Sequence, residues 1–139
     1  MDSKIDPTLI DAYENTQYTI LEPKVSILLN QKNPILDKWL EEKNVSSWAF
    51  ITAFNPYSIL LPEEKNLTAQ DLFREKITSL GLSFLEGKGE PFNGDFPTED
   101  SLFIFGISKE KSMEIATEFE QNAFLFGSIY ESSEILYTQ

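Results

Sequence analysis

Two short apolar runs limit what this chain can become. Trp48 to Phe54 reads Trp-Ala-Phe-Ile-Thr-Ala-Phe and stops at Asn55-Pro56, and Leu102 to Ile107 is a second run of the same kind. Runs of this length, rich in aromatic and β-branched residues and bounded by turn formers, read as strands covered on both faces. Both are expected at the centre of a sheet.

The flanking patterns supply the rest. Asp6-Pro7 starts a helix to Asn15, with Tyr13 and Tyr18 at its end, and Asn33-Pro34 starts another to about Lys43. Ile35, Leu36, Trp39 and Leu40 share one face of the second helix, at three- and four-residue spacing, and should enter the core. Tyr18–Leu21 and Lys24–Leu29 read as edge strands, because Glu22-Pro23 between them cannot sit inside a ladder. A third helix is expected from about Leu67 to Leu80, with Phe73, Ile77 and Leu80 inward and Gly81 as its stop, followed by a strand at Leu82–Leu85. Residues 86–100, with three Gly, two Pro and no apolar period, read as a long loop packed by Phe92 and Phe96. Ser108 caps a fourth helix to about Glu120, with Met113, Ala116 and Phe119 inward, and Phe124–Tyr130 with Glu134–Tyr137 closes the chain as a hairpin. Residues 1–6 are expected to fray.

The order α-β-β-α-β-α-β-β-α-β-β predicts an α+β fold: a single mixed sheet of about five to seven strands with three to four helices packed on it. A ferredoxin-like sheet with extra edge strands is one candidate. At 139 residues and 41% hydrophobic content, the chain is expected to form one domain with its own core.

Composition excludes several chemistries. With no cysteine there are no disulfides, thiolate nucleophiles or cysteine-ligated metals, and with no histidine there is no imidazole base or histidine-ligated zinc or haem. Met1–Ile10 lacks the pattern of a signal peptide and no run approaches a membrane span, so a cytosolic location and no membrane partner are expected. The net charge of −12, with no Lys or Arg after Lys111 and with Glu114, Glu118, Glu120, Glu131 and Glu134 beyond it, disfavours nucleic acid as a partner. It suits either a solvated face or a surface that docks on a basic protein.

Three features bear on a site. Gly87-Lys88-Gly89 lacks phosphate-loop spacing and is followed by Glu90-Pro91, so it reads as a turn. Asp95, Glu99 and Asp100 do not follow a calcium-loop pattern, so no metal or cofactor is called for. Polar side chains at the ends of predicted elements form the third feature: Asn55 and Ser58 after the first central run, Asn66 before a helix, Glu99 and Ser101 before the second run, and Gln121 and Asn122 between a helix and its strand. Each can be a cap or turn residue, or the set can share one site at the strand ends.

Thr52-Ala53-Phe54-Asn55-Pro56-Tyr57-Ser58, Asn66 with Leu72 six residues on, Gly81, Phe84-Leu85-Glu86-Gly87-Lys88-Gly89, Pro97-Thr98-Glu99-Asp100-Ser101, Gly106-Ile107 and Phe119-Glu120-Gln121-Asn122-Ala123-Phe124 resemble, in that order, the bacterial family known as domain of unknown function 3293, over roughly Tyr18 to Leu136. The resemblance implies that Asn55, Ser58, Asn66, Glu99, Ser101, Gln121 and Asn122 belong together, and it implies no activity. Two positions depart from the family pattern: Phe96 stands where tryptophan is preferred, and Glu120 where glycine precedes the Gln-Asn pair.

Three functions fit. The first is a binding or regulatory module whose amides and hydroxyls recognise a small polar ligand or a protein partner, since Asn and Gln have no useful pKa. The second is a small enzyme with Glu99 as general acid or base, which requires that carboxyl to be buried with a raised pKa. The third is an acidic inhibitor or nucleic-acid mimic docking on a basic protein. Oligomeric state is not legible.

Overall fold

The computed structural model describes residues 6–92 and 97–138. Its elements are α1 (Pro7–Glu14), β1 (Thr16–Ile20), β2 (Val25–Ile27), α2 (Pro34–Lys43), β3 (Ser47–Thr52), α3 (Glu63–Ser79), β4 (Phe84–Pro91), β5 (Glu99–Phe105), α4 (Lys109–Glu118), β6 (Ala123–Ser128) and β7 (Glu134–Tyr137). Helix starts follow local chemistry. Asp6 accepts from Thr8 N, Asn33 from Ile35 N and Leu36 N, and Ser108 from Lys111 N, each satisfying an amide that the helix leaves unpaired.

All the strands join one sheet in the order β2-β1-β4-β5-β3-β6-β7. The segment β3-α3-β4-β5-α4-β6 is a βαββαβ unit whose strands run β4-β5-β3-β6, which is the ferredoxin-like arrangement. Strands β1 and β2 extend it beyond β4, and β7 extends it beyond β6.

Both faces are covered, which explains the unbroken apolar runs. Neighbouring residues of a strand point to opposite faces. Ala49, Ile51, Leu102, Ile104, Phe124 and Phe126 pack with Phe73 and Ile77 of α3 and Ile115 and Ala116 of α4. On the other face, Trp48, Phe50, Phe103, Phe105 and Leu125 pack with Leu36 and Leu40 of α2 and with Ile20, Val25 and Ile27. Phe103 is the centre of this second cluster, with ring centroids of Phe105, Trp48 and Trp39 at 5.0, 5.2 and 6.4 Å. Each such ring pair adds about 0.5–1.5 kcal/mol beyond area burial.

The α+β class and the element order are as the sequence implies, and several details are not. Every strand pairing is antiparallel, so the sheet is not mixed. Only β2 is an edge strand on that side, because β1 pairs with β4 as well. Ile35 is 53% exposed, so the core face of α2 is narrower than its spacing suggests. The long loop expected at residues 86–100 is mostly sheet: β4 runs on to Pro91 and β5 begins at Glu99. Gly87 belongs in that strand because a Cβ there would lie 2.6 Å from Phe50 Cε1 and 2.8 Å from Thr19 O. Phe92 is 71% exposed and does not pack the connection. The expectations for residues 1–5, Asp95 and Phe96 lie outside the described residues.

Candidate functional site

A hollow of about 80 Å³ opens between α1 and the α2-side face of the sheet. Its floor follows from register. Tyr18, Gly89 and Glu99 stand side by side on β1, β4 and β5, and Gly87, Ser101 and Thr52 form the next row across β4, β5 and β3. Glycine at 89 puts no side chain of its own between Tyr18 and Glu99, whose strands lie two spacings, or roughly 10 Å, apart. Phe50, Leu125 and Ile135 give the hollow apolar walls, and Leu9, Ala12 and Tyr13 of α1 roof it.

Five of the seven polar residues named from sequence line this hollow: Asn55, Ser58, Glu99, Ser101 and Gln121. Asn66 and Asn122 stand behind it. Asn55 is the hub, donating from Nδ2 to Glu99 Oε2 at 2.9 Å while its Oδ1 accepts from Leu61 N at 2.9 Å and from Asn66 Nδ2 at 2.8 Å. Asn66 Oδ1 accepts the Asn55 backbone N–H at 2.8 Å. Gln121 Nε2 donates to Phe54 O at 3.0 Å and to Phe119 O at 3.2 Å. Tyr13 Oη and Ser58 Oγ share a hydrogen bond of 3.2 Å, and Asn122 Nδ2 donates to the same Ser58 oxygen at 3.1 Å.

The carboxamides therefore hold the chain itself. Asn55, Tyr57 and Ser58 have φ of 47°, 53° and 64°, a left-handed stretch that costs about 1–2 kcal/mol at each ordinary residue and persists here because these hydrogen bonds fix it. Asn66 lies inside α3, which begins at Glu63, and Glu99 and Ser101 lie within β5, not before it.

Glu99 is the chemically distinctive group. Burial pushes its carboxyl up to about 7, against a smaller downward pull from the Asn55 hydrogen bond. Oε2 is held by Asn55, and Oε1 has no hydrogen-bond partner among the described residues. Burial likewise raises the Tyr13 and Tyr18 phenols, which stay neutral, and Tyr18 Oη donates to Tyr13 O at 2.6 Å. Sequence reasoning did not assign Tyr13, Tyr18 or Gly89 to the site. The available signal was a pair of glycines two residues apart in a strand, which marks a close approach at Gly87 and a missing side chain in the lining of the hollow at Gly89.

Among the described residues no group of three or more carboxylates could hold a metal ion, and no helix is long and apolar enough to cross a membrane. The acids beyond Lys111 are partly neutralised from elsewhere: Glu114 pairs with Lys111, Glu118 with Lys76 and Glu134 with Lys109.

Fold and hollow together define an α+β protein with a ferredoxin-like core, widened at both edges and roofed by a short helix. The chain belongs to the family described as "Protein of unknown function (DUF3293)", whose model matches residues 51–124, just over half of the sequence and less than the span over which the resemblance was read. No curated protein and no solved structure matches it. The glycine that the family pattern places before the Gln-Asn pair has a local reason, since Glu120 has φ of 58°. Its side chain is exposed and does not line the hollow, so its charge stays out of the cavity.

Proposed function

We propose that this protein binds a small molecule in the hollow under α1, with Glu99 as the polar contact and Asn55, Asn66, Gln121 and Asn122 as the frame that holds the loops in place. The reading is carried by one observation: a partly buried carboxyl, held through one oxygen by Asn55, lines an apolar-walled cavity. Pockets that bind small ligands combine apolar walls with a few placed polar groups in this way. A thermal-shift screen of amines, alcohols, amides, amino acids and nucleosides tests it, run on the wild type and on Gly89→Leu, which fills the floor. Ligands should raise the wild-type melting temperature by several degrees and leave Gly89→Leu unmoved. Equal shifts in both proteins would place binding elsewhere.

A second reading is general acid–base catalysis by Glu99. Its pKa of about 7 favours this, because a proton donor or acceptor works best when its pKa is near the working pH. Turnover of any ligand found in the screen, lost in Glu99→Gln while binding persists, would separate catalysis from binding alone.

A further inference from the structure

The charge pattern of the hollow narrows what it can hold. Among the described residues Glu99 is the only charged side chain lining it. The groups packed around it are neutral: Tyr13 from α1, Tyr18 from β1, Asn55 from the loop after β3, and Ser101 from its own strand. The nearest basic residue in register, Lys88 opposite Asp100, points to the other face of the sheet and pairs with Glu90 at 3.5 Å. An ionised carboxylate in such surroundings is costly until an opposite charge meets it. The described protein supplies none.

The walls favour the same complement. The ring of Phe50 lies 5.9 Å from that of Tyr18 in an edge-on pair, and Tyr13 stands above them on α1. Aromatic faces attract cations and the aliphatic bodies that carry them. An anion would instead meet Glu99 with no basic side chain among the described lining residues to offset it.

We propose that the hollow takes a small organic cation: a primary ammonium group that bonds to Glu99 Oε1, carried on an apolar body lying against Tyr18, Phe50, Leu125 and Ile135. This rests on the ligand-binding reading above and names its chemical class. The cavity volume of about 80 Å³ holds the equivalent of roughly five to eight water-sized groups, which sets the size of the ligand. Proton linkage follows from the same geometry. The carboxylate form receives the ammonium, so affinity rises with pH until Glu99 is fully ionised and then levels off. With Glu99 at about 7, binding should be about 30-fold tighter near pH 8 than near pH 5.5.

The experiment is an NMR titration of the full chain with three matched sets: n-butylamine and benzylamine, n-butanol and benzyl alcohol, butyrate and benzoate. It is run near pH 5.5 and near pH 8 on the wild type, Glu99→Gln and Gly89→Leu, with amide spectra as the check that each variant is folded. The expected result is amine binding that shifts resonances of Tyr18, Gly89 and Ser101, strengthens about 30-fold with pH, weakens at least about tenfold in Glu99→Gln and disappears in Gly89→Leu. Alcohols that bind as tightly as the amines, or more tightly near pH 5.5, would overturn the cation and leave the ligand site standing. Binding of the carboxylates would do the same. If none of the six perturbs residues of the hollow, both the cation and the site fall.

Discussion

Asn55 and Asn66 are hydrogen-bonded to each other twice: Asn66 Oδ1 accepts the Asn55 backbone N–H, and Asn66 Nδ2 donates to Asn55 Oδ1, each at 2.8 Å. This pair ties the first turn of α3 to the end of the central strand. It also fixes Asn55 Nδ2 on Glu99. Removing one member leaves buried polar groups unpaired, which costs about 1–3 kcal/mol for each group. Asn66→Ala is expected to lower unfolding stability by roughly 2–4 kcal/mol, read as a drop in the urea midpoint. A loss below about 0.5 kcal/mol would show that the pair does not hold the loop.

Glu99 makes stability depend on pH in a sense opposite to that of a salt-bridged acid. Burial raises its pKa from 4.5 to about 7, so between those values the folded protein keeps a proton that the unfolded chain has released. Its contribution is fully present below about pH 4.5 and is lost as the pH rises through about 7. Glu99→Gln should match the wild type near pH 4 and exceed it near pH 8 by roughly 1–3 kcal/mol, allowing for the part of the carboxyl that water reaches. Parallel stability curves for the two proteins across this range would contradict the assignment.

The two glycines of β4 should respond differently to a methyl group. At Gly87 the added carbon meets Phe50 and the Thr19 carbonyl at 2.6 and 2.8 Å, so β1 and β4 must move apart. At Gly89 its nearest neighbour is Thr16 Cγ2 at 3.4 Å. Gly87→Ala is expected to cost roughly 2–4 kcal/mol and Gly89→Ala less than about 1. Thermal denaturation of the pair tests this, and equal losses would sink it.

Glu120 occupies a left-handed position with an exposed side chain. Glycine adopts that conformation without the steric penalty, although the unfolded chain gains some freedom. Glu120→Gly is therefore expected to stabilise the protein by about 0.5–1 kcal/mol, visible as a higher melting temperature. A destabilised variant would mean that the side chain makes a contact of its own.

Periodicity and caps carried most of the fold. Asp6-Pro7, Asn33-Pro34 and Ser108 mark real helix starts, and the two aromatic runs are interior strands because both of their faces meet helices or rings. Residues 84–91 were harder to read, since Gly87 and Gly89 look like a turn when their neighbours on β1, β3 and β5 are not in view. The polar site was legible as a set of residue types at element ends, but not as roles. That Asn55, Asn66 and Gln121 face the protein's own backbone depends on pairings 11 and 67 residues apart. Tyr13 was legible at the end of its helix but not as part of the site, because its hydroxyl reaches Ser58, 45 residues on.

α1 has no fully buried residue, whereas the opposite face of the sheet is sealed by α3 and α4. The core is thus built without the side chains of α1, which cover the hollow and do not fill the interior. Substitutions confined to the eight residues Pro7–Glu14 would therefore reshape the cover of the cavity at little cost to the sheet beneath it.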